Sequence, residues 1–350
     1  LEFINLKKQI LVTGGTGYIG SHTTVELIEE NFDPVIVDNL SNSKIEVLDG
    51  IEEITGIYPD FEKFDLCNKD ELFGFFRKYP NIEAIIHFAA SKAVGESVEK
   101  PLLYYSNNLV SLINLLEAMS FFNIPYMVFS SSCTVYGQPD ELPVTEKAPF
   151  KKAFSPYGNT KQISEEILQD TISANPFIKA ISLRYFNPIG AHPSALIGEM
   201  PLDIPDNLVP FITQTAIGIR DYLRVFGNDY NTPDGSCIRD YIHVVDLSKA
   251  HVVAIKRLLE KNNKSNHEIF NLGMGGGVSV FEVIKSFEKA SGQKIKYKIV
   301  NRRPGDIEQV WADTEYANEE LGWIAEFSLE DAMLSAWNWE KHYRQKLKTK

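Results

Sequence analysis

Cysteine is nearly absent from this chain: Cys67, Cys133 and Cys237 are the only three in 350 residues. They are widely separated, odd in number and without metal-type spacing, which argues against a disulfide framework or a zinc site and fits a reducing cytoplasm. His22, His87, His192 and His243 share no ligand spacing either, so no metal is expected. Positive charge is in deficit, with 35 Lys and Arg against 47 Asp and Glu and a net charge of −12. Lacking a Lys/Arg cluster, the chain offers no surface for a nucleic-acid backbone, and any anionic ligand must be held by local groups. No apolar run approaches the roughly 18 residues that span a bilayer, so no membrane partner is expected. The first residues lack a secretory pattern, and Leu1 to Leu6, beginning without methionine, read as a trimmed or added end.

What is present is the composition of a globular protein, 44% hydrophobic, with a length that predicts two domains. Short apolar runs alternate with helical stretches, the pattern of a parallel sheet covered by helices. Gln9–Thr13, Pro34–Asp38, Ala84–Phe88, Tyr126–Ser130 and Ala180–Arg184 read as strands, and Leu109–Met119 as a helix with an apolar stripe. The expected fold class is α/β, a Rossmann-type doubly wound parallel sheet over residues 8–190 with a smaller C-terminal α/β domain over 191–350. Segments within about 237–272 are expected to return to the first domain. No internal repeat or low-complexity linker is evident.

Directly after the first strand comes Gly14-Gly15-Thr16-Gly17-Tyr18-Ile19-Gly20, leading into a helix. Glycines permit the tight turn and close backbone approach, while a helix N-terminus offers unpaired N–H donors and partial positive charge to a pyrophosphate. Asp38, ending the second strand, can accept from a ribose diol and repels a 2′-phosphate, which favours NAD over NADP. Asn39, Asn42 and Ser43 follow as candidate adenosine contacts.

Tyr157 and Lys161 stand four residues apart behind Ser155 and Pro156, a cap and a first helical residue that place phenol and ammonium on one face. A tyrosine titrates near ~10, so serving as a base at neutral pH requires lowering its pKa by about three units, or roughly 4 kcal/mol. A neighbouring cation supplies much of that.

These motifs, with Ser130-Ser131-Ser132-Cys133-Thr134-Val135-Tyr136-Gly137, resemble the extended short-chain dehydrogenase/reductase family, and within it the UDP-glucose 4-epimerases, also called UDP-galactose 4-epimerases. Ala93–Ser97, Arg184–Pro188, Arg239–Val244 and Arg302–Asp306 match in order, so the resemblance runs from about Gln9 to Trp339. It implies NAD-dependent interconversion of UDP-glucose and UDP-galactose through a 4-keto sugar, in galactose metabolism and nucleotide-sugar supply. Tyr157 is then the base, Lys161 lowers its pKa and holds the nicotinamide ribose, and Ser132 joins Tyr157 at the 4-hydroxyl. Asp65 and Leu66 line the adenine site, and Phe88, Ala89, Lys92, Asn107, Tyr185 and Phe186 complete the cofactor pocket. Asn187, Asn207, Leu208, Phe226, Arg239 and Arg303, with Asp306 beside them, hold the UDP-hexose. Two arginines suit a diphosphate, because a guanidinium engages its oxygens in pairs. Inversion requires the keto sugar to present its other face while the nucleotide stays anchored, so binding energy belongs on the diphosphate and uridine.

A related branch dehydrates sugars after the same oxidation, using acidic residues before Val-Tyr-Gly. Here Cys133 and Thr134 occupy those positions and provide no acid/base pair at neutral pH. Members restricted to plain hexoses carry a tyrosine before Trp-Ala-Asp where this chain has Val310, so Val310 is expected to widen the sugar pocket for UDP-N-acetylhexosamines. The alternatives are a 4-epimerase of UDP-uronates or UDP-pentoses, or a non-catalytic NAD-binding regulatory module. A homodimer is expected by resemblance, through helices around Pro101–Phe121 and Pro156–Ala174. Two weaker signals read as structural: Asp229, Asn231, Asp234 and Gly235 as a polar turn, and Gly273 to Gly277 as a connection before a capping box of Ser279 and Glu282.

Overall fold

The computed structural model describes residues 7–349 apart from 203, 304 and 305. Leu1 to Leu6, and Pro304 and Gly305 of the Arg302–Asp306 motif, lie outside the described residues. Contacts divide the chain into two compact units, one of Leu1–Ser131, Ser155–Leu183 and Ser248–Ile269, the other of Ser132–Phe154, Arg184–Leu247 and Phe270–Lys350.

The chain opens with β1 (Gln9–Thr13), α1 (Tyr18–Glu29), β2 (Asp33–Asp38), α2 (Val47–Thr55), β3 (Asp60–Lys63), α3 (Lys69–Lys78) and β4 (Ile82–His87). It continues through α4 (Val94–Glu99), α5 (Pro101–Phe122), β5 (Tyr126–Ser132), α6 (Pro156–Ala174) and β6 (Lys179–Tyr185). Then come β7 (Asn187–Ile189), α7 (Leu208–Ala216), β8 (Leu223–Phe226), β9 (Ile238–Arg239), β10 (Tyr241–His243) and α8 (Val244–Leu259). The last elements are β11 (His267–Leu272), β12 (Val278–Ser279), α9 (Val280–Ser291), β13 (Tyr297–Val300), β14 (Gln309–Val310) and α10 (Leu329–Thr349).

Seven strands form one sheet in the order β11-β6-β5-β4-β1-β2-β3. β1 pairs in parallel with both β2 and β4, β2 with β3 and β4 with β5. The chain winds outward one way from β1 and the other way from β4, so the order reverses between them. In doubly wound sheets, ligands sit beyond the carboxyl ends of strands at such a switch point. Ile10, Leu11 and Val12 of β1 and Ala84, Ile85 and Ile86 of β4 are fully buried, as continuous apolar runs in a two-sided parallel sheet must be. The first unit's core gathers Leu11, Val35, Ile85, Leu112, Met119 and Leu168.

The second unit has its own core around Ile212, Val225, Tyr241, Phe287 and Met333. Its strands make short sheets: β10 with β7, β12-β9-β14, and β13 with β8. Asp240, fully buried, accepts from the amides of Met274, Gly275 and Ala312. One carboxylate thus joins the β9–β10 segment, the glycine-rich turn and the residues after β14. Burial pushes Asp240 up to about 6 despite these donors. The capping box of Ser279 and Glu282 is formed, and the Asp234 carboxylate takes the amide and hydroxyl of Ser236.

Candidate active site

The glycine turn after β1 is built by backbone. Gly14 donates to Val37 O at 2.8 Å, and Gly17 to Gly14 O at 3.0 Å. Gly14 has φ +69°, and a Cβ there would lie 2.8 Å from Ala89 N; one on Gly20 would lie 2.3 Å from Gly14 O. Only glycine fits either place. Helix α1 begins after Gly17 with no side-chain cap and no acidic residue in its first turn. A helix start left without a capping side chain, behind a turn with no Cβ to obstruct it, fits a dinucleotide pyrophosphate.

Asp38 is held in place at the end of β2: its Oδ1 accepts from Leu40 N at 2.8 Å and Ser43 Oγ at 3.2 Å, and its Oδ2 from Thr16 N at 3.3 Å. Asn39 Nδ2 donates to Asp65 Oδ2 at 3.2 Å, bringing those two predicted contacts together. Leu66 is buried, and its carbonyl takes Asn114 Nδ2 at 2.9 Å. Lys92 Nζ sits 6.0 Å from the Tyr18 ring centroid. Ala89 donates its amide to Thr13 Oγ1 at 3.3 Å, and Asn107 Nδ2 donates to Ser91 Oγ at 3.2 Å. Phe88 packs against His251 with ring centroids 4.6 Å apart. Asn42 follows Asp38 in the loop before α2.

Helix α6 starts as its sequence dictates: Ser155 Oγ accepts from Gly158 N at 3.1 Å, and Pro156 takes the first position. Its first turn is tied to α5, for Asn159 Nδ2 donates to Tyr105 Oη at 2.7 Å and Asn108 Nδ2 to Thr160 Oγ1 at 3.1 Å. Tyr157 and Lys161 therefore occupy fixed places, with Lys161 Nζ 6.0 Å from the Tyr157 ring centroid. The ammonium is buried, donates to Ser130 O at 2.6 Å and lies 4.8 Å from the Phe129 ring centroid. Burial lowers Lys161 from 10.5 to about 8, against the opposing charge of Glu165. His87 is held to Thr13 Oγ1 through Nδ1 at 2.8 Å, and burial followed by the Lys161 charge takes it down to about 3, so it stays neutral.

In the second unit Ser132 ends β5 and caps the following turn, accepting from Thr134 N at 3.2 Å. Burial pushes the Cys133 thiol up to about 12, which keeps it protonated. Tyr185 and Phe186 are buried, and the Phe186 amide bonds Leu272 O at 3.2 Å. Asn187 bonds Asp240 O through its amide at 3.0 Å. Asp306 Oδ1 accepts from Arg303 Nη2 at 2.7 Å and stands 4.0 Å from Arg239 Nη2. The Arg303 guanidinium lies 5.6 Å from the Phe226 ring centroid. Arg239, Arg303, Asp306 and Phe226 thus form one group. Val310 is the cross-strand partner of Arg239 and packs with Val135, Tyr136, Val144, Phe186 and Ala312. Asn207 precedes Leu208 at the start of α7 and donates to Glu199 Oε1 at 2.6 Å.

Sequence reasoning passed over Asn108, which also donates to Ser91 O and accepts from Ser91 N. It also passed over Glu165 and the clamp role of Asp240. A polar residue inside an apolar helical stripe, and an acid one turn beyond Lys161, were the available signals.

A glycine turn shaped for a dinucleotide, in the same unit as a Tyr/Lys pair on a capped helix, defines a class that oxidises and reduces alcohols. The family model described as GDP-mannose 4,6 dehydratase matches residues 11–335. A UDP-glucose 4-epimerase of Dictyostelium discoideum is 51% identical over 332 residues, covering 95% of each chain. The Homo sapiens UDP-glucose 4-epimerase is 47% identical over 342 residues, covering 96% of this chain and 97% of that one. The crystal structure of the Bifidobacterium longum UDP-glucose 4-epimerase in complex with NAD+ and UDP superposes with a TM-score of 0.92 at 46% identity, covering 96% of this chain and 99% of the other. The chain belongs to the UDP-glucose 4-epimerase family of extended short-chain dehydrogenase/reductases.

Proposed function

We propose that this protein interconverts UDP-glucose and UDP-galactose, with NAD as a cofactor that ends each turnover as it began. The observation that carries the reading is Tyr157 and buried Lys161 on one capped helix, in the same unit as a glycine cradle that tolerates no Cβ. NAD, when bound, accepts hydride from carbon 4 of the sugar and returns it. Gly14, Gly17 and the start of α1 at Tyr18 and Ile19 hold its pyrophosphate, and Asp38 its adenosine ribose. Tyr157 removes the 4-hydroxyl proton and gives it back, with Ser132 sharing that hydroxyl. Lys161 keeps the phenol acidic, the protonated Cys133 offers no group for elimination, and Arg239 and Arg303 anchor the diphosphate. Incubation with UDP-galactose, followed by separation of products, should give UDP-glucose; absence of conversion refutes the reading.

The sugar range extends to N-acetylated UDP-hexoses because Val310 leaves out a ring and a hydroxyl. Replacing it should narrow the range. Val310→Tyr is expected to lower the ratio of UDP-N-acetylgalactosamine to UDP-galactose turnover by about tenfold, a loss of roughly 1.4 kcal/mol in discrimination. An unchanged ratio defeats this extension.

The proposed setting is the cytoplasm, which the three free cysteines support. The proposed assembly is a homodimer. Its support is an apolar run on α4 and α5, where Val98, Leu102, Val110 and Ile113 are exposed and Leu102 is 81% accessible. Leu102→Asp with Ile113→Asp should shift a sedimentation profile from two copies to one; a wild-type profile already at one copy rules the dimer out.

A further inference from the structure

We propose that Glu165 is a positioning residue of the proton-transfer site, a buried carboxylate one helix turn from Lys161 that supplies a negative charge its other neighbours do not. The inference rests on the epimerase reading for its kinetic consequence, but the geometry stands by itself. Glu165 follows Lys161 by one turn of α6 and is 4% exposed. Its Oε1 accepts the Ser131 hydroxyl at 2.5 Å. Ser131 lies between Ser130, whose carbonyl takes the Lys161 ammonium, and Ser132 at the end of β5. Glu165 thus bonds the strand end whose preceding carbonyl holds Lys161, and its carboxylate lies one helix turn along α6 from that lysine.

Groups from α6, β5 and β4 face Lys161. From its own helix come Tyr157 and Glu165, and from β5 the Ser130 carbonyl and the Phe129 ring. From β4 comes His87, bonded to Thr13 of β1 and neutral. Among the described residues packed there, Glu165 is the anion, and it opposes the effect of burial on Lys161. A carboxylate is costly to bury, and a hydrogen bond to Ser131 alone does not require one, since an amide oxygen accepts as well. Charge is what Glu165 adds.

Glu165→Gln keeps the acceptor for Ser131 and removes the charge, whereas Ser131→Ala keeps the charge and removes the hydrogen bond. In the holoenzyme, Lys161 is followed by 13C NMR of labelled lysine side chains, its resonance identified by its loss in Lys161→Met. The same proteins are assayed for kcat and KM with UDP-galactose across pH. Glu165→Gln should move both the Lys161 titration and the alkaline fall of kcat down by about one pH unit, with KM within twofold. Ser131→Ala should move neither, and Glu165→Asp should retain the wild-type titration if the amide variant does not fold. An unmoved Lys161 titration in Glu165→Gln, or an equal shift in Ser131→Ala, overturns the proposal. A wild type without turnover would instead defeat the epimerase reading, while the titration comparison still decides the role of Glu165.

Discussion

Tyr157→Phe should lower kcat by about 10³-fold or more while the protein still retains NAD and binds UDP. General acid/base groups contribute roughly 10²–10⁴-fold, and in the proposed reaction one phenol handles the proton in both directions. The substitution removes a hydroxyl but keeps the ring that packs at the start of α6, so folding and affinity should change little. Turnover measured under saturating substrate, together with NAD content, separates the possibilities. A non-catalytic binding module predicts no functional loss from this change, and retained turnover would remove Tyr157 from the chemistry.

Lys161→Met should be nearly as damaging at neutral pH, for a different reason. On the proposed mechanism, losing the ammonium leaves an ordinary tyrosine, titrating near ~10, and about 10³-fold less phenolate at pH 7. The variant's rate should therefore climb with pH between about 7 and 10, where the wild type gains nothing of the kind. Stability should respond with a definite sign. Burial sets Lys161 at about 8 in the folded chain, below its ordinary 10.5. Between those values the unfolded chain binds more protons than the folded one, so this group's unfavourable contribution fades as pH rises. Wild type should thus gain on Lys161→Met by up to about 3 kcal/mol from pH 8 to 10.5, read from denaturant midpoints of cofactor-free protein. A stability difference that ignores pH would contradict the buried, charged lysine.

The strands that build the first unit's sheet could be read from composition because they are buried on both faces. Ile10–Val12, Val35–Val37, Ala84–Ile86 and Met127–Phe129 are unbroken apolar runs with no alternative placement. β3 escaped because Asp60-Phe61-Glu62-Lys63 lies at the sheet edge, where only one neighbour constrains it and charged residues are favoured. The short strands of the second unit were equally opaque, since pairings of two to four residues carry too little period to read. At the site, Ser155, Pro156, Tyr157 and Lys161 follow local helix rules and were legible for that reason. What sequence could not convey is that the Lys161 ammonium bonds a strand carbonyl, with the Tyr157 ring centroid 6.0 Å away. Asn108 and Asp240 were hidden likewise, as their roles come from backbone groups distant in sequence.

The central claim is that one carbon is oxidised and then reduced from its other face within a single bound state. UDP-galactose carrying deuterium at carbon 4 tests it most directly. The account predicts UDP-glucose with the label kept at carbon 4 and none lost to water, because the hydride leaves and returns without meeting solvent. Loss of the label during conversion, or a product lacking the 6-hydroxyl, would contradict it.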